Sequence, residues 1–116
     1  MVGIYKITDT KNGKVYIGQS KNIGNRRHQH LSSLAAHLHE NRKMQSDYND
    51  DAAFFRFDVI EVCKIVELND REQYWIAYYR SNEAAYGYNM NEGGGYKRHK
   101  EKELPRSVME DIMSKR

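Results

Sequence analysis

The chain has 116 residues and a mass of 13.7 kDa, so it has room for one folded domain with a modest hydrophobic core. Hydrophobic residues make up 39% of it and the mean hydropathy is -0.93, so we expect no membrane-spanning segment. The single cysteine, Cys63, lies in an apolar run and fits a small core residue in a reducing compartment. The N-terminus lacks the apolar stretch of a signal peptide, and we therefore expect a cytoplasmic protein.

The net charge of +3 is unevenly distributed along the chain. Residues 97–116 carry seven Lys or Arg and four Asp or Glu, whereas residues 1–96 carry twelve of each kind. Residues 11–30 hold five cations and no acid. A one-sided basic surface on a neutral body favours a phosphate-bearing partner such as nucleic acid, although short basic stretches are often only solvated. The expected phosphate contacts are Lys11, Lys14, Lys21, Arg27, Lys97, Arg98 and Lys100.

The first twenty residues predict a β-hairpin. Residues 2–8 and 14–19 are rich in β-branched and aromatic side chains, and Asn12-Gly13 between them is a strong turn signal. Tyr5 and Tyr16 therefore lie on adjacent strands. Whether they share a face depends on the register, which the pattern leaves open, and the pair alone is also compatible with a simple cross-strand aromatic contact.

A helix is predicted from Ile23 to His39, with Asn22 as its N-cap. Helical spacing gives it two distinct faces. The apolar face consists of Ile23, Leu31, Leu34 and Leu38, and the polar face carries Arg26, His30 and His37.

The rest of the chain reads as helix, strand, helix and loop. We expect a short helix from Asn41 to Tyr48, a strand from Phe54 to Ile65 and a helix from Asp70 to Arg80. Residues 81–96 are rich in Gly, Asn and Tyr and predict a loop, and Pro105 can open a last amphipathic helix. Alternation within the third strand predicts one inward row, formed by Phe55, Phe57 and Val59.

Two features have competing interpretations. The pairs His28-x-His30 and His37-x-His39 suggest a zinc site, but rings two residues apart on a helix point in different directions, and the chain has no cysteine pair to complete such a site. Glu72 fits a capping box with Asn69, and it equally fits a carboxylate ligand for Mg²⁺. Local sequence does not decide between these roles of Glu72.

A set of motifs resembles the GIY-YIG endonuclease family. The defining tripeptides are Gly3-Ile4-Tyr5 and Tyr16-Ile17-Gly18. Further matches follow in the family's order, and those in the first helix and in the Gly-Tyr-Asn loop are most similar to the catalytic domain of phage and intron homing endonucleases. These further matches are Arg26, His30, Glu72 ahead of Trp75 and Ile76, and Asn89.

The resemblance implies an α/β (α+β) domain over residues 1–96, with a central three-stranded antiparallel sheet flanked by helices. Residues 97–116 would be a basic tail or the start of a linker and DNA-binding region. The implied activity is metal-dependent hydrolysis of DNA phosphodiesters with one divalent metal, Mg²⁺ or Mn²⁺. A repair or restriction nuclease of the same fold and a DNA-binding module that does not cut are the alternatives.

The resemblance also implies a role for each matched residue. Glu72 would bind the metal, Arg26 would contact the scissile phosphate, and Tyr5 would be the general base. Since an unperturbed phenol has a pKa near 10, such a base needs a nearby cation. The remaining matches would position or support the site, and His39, near a family histidine position, is grouped with the DNA-contacting residues. These are Tyr16, His30, Asn89 and His39.

Overall fold

A computed structural model describes residues 1–91 and residue 93. Three strands form one antiparallel sheet in the order β2-β1-β3, and three helices flank it. The strands are β1 (Gly3–Asp9), β2 (Val15–Ser20) and β3 (Phe55–Val62), and the helices are α1 (Ile23–Ala35), α2 (Arg42–Asp51) and α3 (Leu68–Tyr79). This architecture confirms the expected α+β fold. Within the described residues, none of the helices has the length and apolar character needed to cross a membrane.

The hairpin register resolves the question of the two tyrosines. Tyr5 pairs with Gly18, and Tyr16 pairs with Ile7. Because directly paired residues share a face of the sheet, both tyrosines project to the same side. The turn is longer than a two-residue Asn-Gly turn, and only Gly13 adopts a positive φ, at 79°.

Each face of the sheet carries its own hydrophobic cluster. One cluster lies toward α1 and α2, and the other lies toward α3. The buried members of the first are Tyr5, Ile7, Ile23, Leu34, Met44 and Tyr88. Those of the second are Ile4, Val15, Ile17, Leu68 and Ile76, with the half-buried Cys63 packed at its edge as expected.

The predicted C-terminal end of the first helix is wrong: α1 ends at Ala35 and not at His39. Asn22 caps the N-terminus as expected, since its side chain accepts a hydrogen bond from the amide of Asn25. The helix stops at Ala35, because His37 adopts a left-handed φ of 62° and the amide of Leu38 bonds back to the carbonyl of Ser33. This is a Schellman termination. Its left-handed position is usually a glycine, which makes it recognisable in a sequence, but here it is His37.

The early termination moves two side chains from their predicted places. Leu38 is 79% exposed and is not part of the buried stripe. His37 is exposed, and its Nδ1 atom lies 2.9 Å from the side-chain oxygen of Asn49, away from the face that carries Arg26. The chain is thereby free to turn back toward α1 within a few residues, which brings in His39.

The third strand and the last helix also differ from prediction in detail. A bulge interrupts the pairing of β1 with β3 between Ile4 and Tyr5, after Val59 in β3. Val59 still pairs with Tyr5 and keeps the face of Phe55 and Phe57, but it is 43% exposed rather than buried. Helix α3 begins at Leu68, which places Asn69 inside the helix rather than at its cap. The predicted helix after Pro105 and the cations Lys97, Arg98 and Lys100 lie outside the described residues.

Candidate active site

A cavity of about 620 Å³ opens where β2, α1, α3 and the segment after α3 meet. Its walls include residues of the connection between α1 and α2, which follows the Schellman turn. Five of the six predicted catalytic side chains line it: Tyr16, Arg26, His30, Glu72 and Asn89. Residues that are up to 73 positions apart in the sequence therefore meet at one place.

Tyr5 lies beneath this cavity rather than in its wall. Its side chain is 1% exposed, its ring stacks on Phe57 at 5.0 Å, and its hydroxyl oxygen is 2.7 Å from Nε2 of His30. Gly18 makes this position possible, because a Cβ atom there would lie 2.3 Å from the Tyr5 hydroxyl oxygen. The last glycine of the second tripeptide thus provides the space for the tyrosine of the first.

Burial dominates the electrostatics of both phenols. It raises the pKa of Tyr5, with a smaller contribution from Tyr16, while the guanidinium of Arg26 acts in the opposite direction. Burial also raises the pKa of Tyr16, and the negative charge of Glu72 adds to this effect. Arg26 is the expected cation beside Tyr5. In the protein alone, its lowering of the Tyr5 pKa is smaller than the increase caused by the loss of hydration.

Two histidines form a connected pair at the cavity. Nδ1 of His30 lies 2.7 Å from Nε2 of His39, and the rings are inclined by 17°. Burial, the neighbouring His39 and the charge of Arg26 together lower the pKa of His30 to about 3. Burial also lowers the pKa of His39. Both rings are therefore neutral near pH 7.

Glu72 is a buried carboxylate in the second turn of α3. It is 9% exposed, and its Oε1 atom accepts a hydrogen bond of 2.8 Å from the side-chain amide of Gln19. Asn69 accepts a bond from the same amide group at 2.9 Å. The capping-box interpretation of Asn69 and Glu72 is therefore wrong, because Asn69 does not occupy the N-cap.

The site fits a hydrated hard cation better than a cage of protein ligands. Among the described residues, no group of three or more His, Cys, Asp or Glu side chains is arranged to hold a metal ion. Glu72 contributes one carboxylate to the cavity wall. Mg²⁺ retains several waters and is commonly held by one or two carboxylates, so this donor set suits it.

Asn89 supports the site through the backbone. Its side chain accepts from the amide of Ile17 at 2.8 Å and donates to the carbonyl of Ile17 at 2.9 Å, as a neighbouring strand would. The hydroxyl of Ser81 donates to the same Asn89 oxygen at 2.7 Å. This clamp fixes the edge strand that carries Tyr16.

The predicted DNA-contacting residues are dispersed. Lys21 lines a groove of about 440 Å³ that shares Arg26 and Gln29 with the main cavity. Lys11, Lys14 and Arg27 do not line the cavity, and Lys11 lies 3.7 Å from Asp51. His39 is 8% exposed and belongs to the cavity wall, apart from the exposed cations with which the sequence grouped it.

Sequence reasoning missed several polar residues that shape the site. Gln19 holds Glu72, Gln29 accepts a hydrogen bond from Arg26 at 3.1 Å, and Glu40 adds a second carboxylate to the cavity wall. Asn41 and Gln45 hold His39 through hydrogen bonds that involve the main chain. None of these side chains belongs to a recognisable sequence motif. The only signals are that Gln29 lies three residues after Arg26 and that Glu40 and Asn41 directly follow His39.

Comparison with known proteins agrees with this geometry. The family model of the GIY-YIG catalytic domain matches residues 1–89, which include all six of the predicted catalytic side chains. The chain belongs to the GIY-YIG family. The match spans the whole sheet, the three helices and the segment that carries Asn89.

Within the GIY-YIG family, the chain is similar to individual phage and homing endonucleases. Intron-associated endonuclease 1 of Enterobacteria phage T4 is 31% identical over 90 residues, which are 76% of this chain but only 36% of that protein. The chain thus spans about a third of the length of this curated relative. The structure of the catalytic domain of homing endonuclease I-TevI has a TM-score of 0.70 at 29% identity and covers 78% of this chain and 98% of that one. An alanine mutant of the same catalytic domain gives a TM-score of 0.69, also at 29% identity, over 79% and 95%.

Proposed function

We propose that this GIY-YIG domain is a metal-dependent DNA endonuclease that hydrolyses phosphodiester bonds. The supporting observation is the convergence of a buried carboxylate, a guanidinium and a tyrosine on one cavity, with Tyr5 directly behind them. The names of the relatives favour a homing-type enzyme of a phage or mobile element, acting in the cytoplasm of a bacterial host, over a repair or restriction nuclease.

Hydrolysis requires a base, charge compensation and an oriented phosphate. In the proposed reaction a water oxygen forms a bond to phosphorus and one water proton passes to the base, which accepts it as a phenolate. The opposite phosphorus–oxygen bond breaks, and the leaving alkoxide takes a proton from solvent to become the alcohol. Arg26, which lines the cavity, would donate to a non-bridging oxygen and stabilise the charge that develops there. Tyr5 is the proposed base, since Arg26 and His30 both face its oxygen.

Glu72 is the proposed ligand of one Mg²⁺ or Mn²⁺ ion. The hydrogen bond from Gln19 fixes the direction of its carboxylate toward the cavity. When bound, the metal would supply Lewis-acid polarisation of a phosphoryl oxygen.

Tyr16 is the second candidate for the base. It lines the cavity and is half-buried, whereas Tyr5 is 1% exposed and lies below the cavity. A role for Tyr16 would leave Tyr5 as the partner that holds His30.

The groove beside Arg26 suggests a path for the DNA backbone. Lys21 and the amide side chains of Asn22 and Asn25 line it, and Arg26 joins it to the cavity. Phosphates adjacent to the scissile one would bind here. The more distant cations would then contribute mainly through the long-range field.

The proposal is tested by incubating supercoiled plasmid with the protein and Mg²⁺, with and without a chelator. Nicked or linear product that needs the metal would support it. Glu72→Gln should abolish cleavage while preserving the fold, because the amide oxygen still accepts from Gln19 but is a far poorer metal ligand. Asp70→Asn, an exposed carboxylate on the same helix, is the matched control and should cut normally.

Two results would contradict this assignment. Glu72→Gln that cuts within about tenfold of the native rate would remove Glu72 from the metal site. Plasmid binding by the folded protein without any metal-dependent cleavage would instead favour a DNA-binding module of the same fold.

A further inference from the structure

Four groups form a continuous hydrogen-bonded chain from the backbone to Tyr5. The amide N–H of Asn41 donates to Nδ1 of His39 at 3.0 Å. Nε2 of His39 lies 2.7 Å from Nδ1 of His30, and Nε2 of His30 lies 2.7 Å from the hydroxyl oxygen of Tyr5. Each histidine is less than a tenth exposed, although both line the cavity.

The direction of every bond in this chain follows from its first member. A backbone N–H can only donate, so Nδ1 of His39 accepts and carries no proton. A neutral imidazole carries its proton on one of its two nitrogens, which for His39 must then be Nε2. Nε2 of His39 donates to Nδ1 of His30, and the proton of His30 is thereby assigned to Nε2, which faces Tyr5.

The surrounding structure holds the amide of Asn41 in place. Asn41 is the N-cap of α2, since its side-chain oxygen accepts from the amide of Met44 at 3.0 Å, and its side-chain nitrogen donates to the carbonyl of Tyr88 at 2.7 Å. Gln45 accepts from the amide of His39 at 2.9 Å and donates to the carbonyl of Leu34 at 3.0 Å. The capped start of α2 and the end of α1 therefore fix both ends of the segment that carries His39.

We infer that the backbone amide of Asn41 sets the tautomers of His39 and His30, so that His30 donates a hydrogen bond to Tyr5. His39 is then a positioning residue that acts through His30. Tyr5 faces two donors, Nε2–H of His30 and the guanidinium of Arg26, which is the environment that stabilises a phenolate. In this state His30 cannot take the proton of Tyr5.

The mechanistic consequence rests on the proposed function, whereas the tautomer itself is observable without any reaction. Long-range ¹H–¹⁵N NMR of the full chain at neutral pH distinguishes protonated from unprotonated ring nitrogens by their ¹⁵N chemical shifts. His30→Gln identifies the His30 signals by their disappearance. We expect a protonated Nε2 and an unprotonated Nδ1 in His30. The opposite tautomer would overturn the inference.

A matched pair of variants at His39 tests whether His39 controls the tautomer of His30. In His39→Glu the carboxylate near the position of Nε2 can only accept, so His30 should switch its proton to Nδ1. His39→Gln has the same length and an amide that can donate, so His30 should keep its proton on Nε2. His28→Glu and His28→Gln, on the exposed face of α1, control for the added charge and should leave the His30 tautomer unchanged.

The rates provide the second measurement. If the donor from His30 supports the base, His39→Glu should cleave about 10²-fold more slowly than His39→Gln in single-turnover reactions with Mg²⁺. Equal rates despite a switched tautomer would overturn the mechanistic part, and an unswitched tautomer in folded His39→Glu would overturn the control by His39. Should His39→Glu not fold, the native and His39→Gln spectra still decide the assignment. Absence of cleavage by the native protein would refute the proposed function and leave the tautomer assignment standing.

Discussion

At the scale of single residues, the two tyrosines have similar chemistry and different surroundings. Tyr5 is enclosed by Phe57, Gly18 and His30, whereas Tyr16 borders the cavity. Burial raises the pKa of both phenols, so less phenolate is present near neutrality than at an exposed tyrosine. A reaction that uses either phenolate should therefore accelerate as the pH rises into the alkaline range.

Replacing each tyrosine by phenylalanine separates the two candidates for the base. If Tyr5 is the base, Tyr5→Phe should lower the single-turnover rate by about 10² to 10⁴-fold and flatten the alkaline limb of the pH profile, with DNA binding nearly intact. Tyr16→Phe, the matched control, should keep that limb. The reverse outcome would assign the base to Tyr16.

The low pKa of His30 predicts that the protein loses stability in mild acid. Its pKa is about 3 in the folded protein, well below the ordinary value near 6.5, so the unfolded state binds a proton first as the pH falls. The stabilisation is fully present above about pH 6.5 and is lost as the pH falls toward the folded value.

Urea unfolding at different pH values measures this effect. Between about pH 7 and pH 5 His30 alone should reduce the free energy of unfolding by about 2 kcal/mol, and His30→Gln should lack that component of the slope. His28→Gln, on the exposed face of the same helix, should retain the native slope. Identical slopes in the native protein and His30→Gln would show that His30 titrates normally.

At the scale of elements, the hairpin depends on the close approach of Gly18 in β2 to the side chain of Tyr5 in β1. A Cβ atom on Gly18 would collide with the Tyr5 phenol, which cannot easily move because Phe57 stacks on it. Gly24 is different, since the nearest atom to its virtual Cβ is 3.6 Å away and it lies in the first turn of α1.

Alanine at these two glycines should therefore have opposite effects. Gly18→Ala should destabilise the protein by about 1–3 kcal/mol through overpacking and displace Tyr5 from His30, lowering cleavage as well. Gly24→Ala should be neutral or stabilise by up to about 1 kcal/mol, because alanine is the better helix former. Thermal unfolding and cleavage assays measure both, and native stability in Gly18→Ala would contradict the packing argument.

At the scale of the whole molecule, charge separates the neutral body from its basic segments. The exposed Lys11, Lys21 and Arg27 carry part of the positive field, and residues 97–116 add a net excess of three cations. Each phosphate contact that releases a counterion steepens the dependence of binding on salt.

Removal of residues 97–116 should reduce the slope of log K against log salt while leaving metal-dependent cleavage in place, because the six proposed catalytic residues precede position 90. Fluorescence anisotropy of labelled duplex DNA over a salt series measures the slope. A folded, truncated chain with the native slope and affinity would remove the tail from DNA binding.

The local elements and the identity of the reactive groups could be predicted from the order of the amino acids. The Asn12-Gly13 signal, the Asn22 cap and the strand alternation are local effects, and each of them reappears in the structure. The tripeptides and their downstream matches named five of the side chains that line the cavity, together with Tyr5 beneath it. The turn and the cap could be predicted because turn chemistry and capping depend on residues close together in the chain, whereas the reactive groups were recognised by the order of their motifs between Gly3 and Asn89.

The geometry that gives these groups their chemistry arises from contacts between distant parts of the chain and became visible in the fold. The register that places Tyr5 and Tyr16 on one face is a property of two strands together, and the end of α1 at His37 depends on a left-handed residue without the usual glycine. Glu72 is a cavity carboxylate instead of a cap because α3 begins at Leu68, ahead of Asn69, and Gln19, 53 residues away in the sequence, donates a hydrogen bond to it. Burial, which raises the pKa of the phenols and lowers that of His30, is set by packing from the whole fold and leaves no trace in the local sequence.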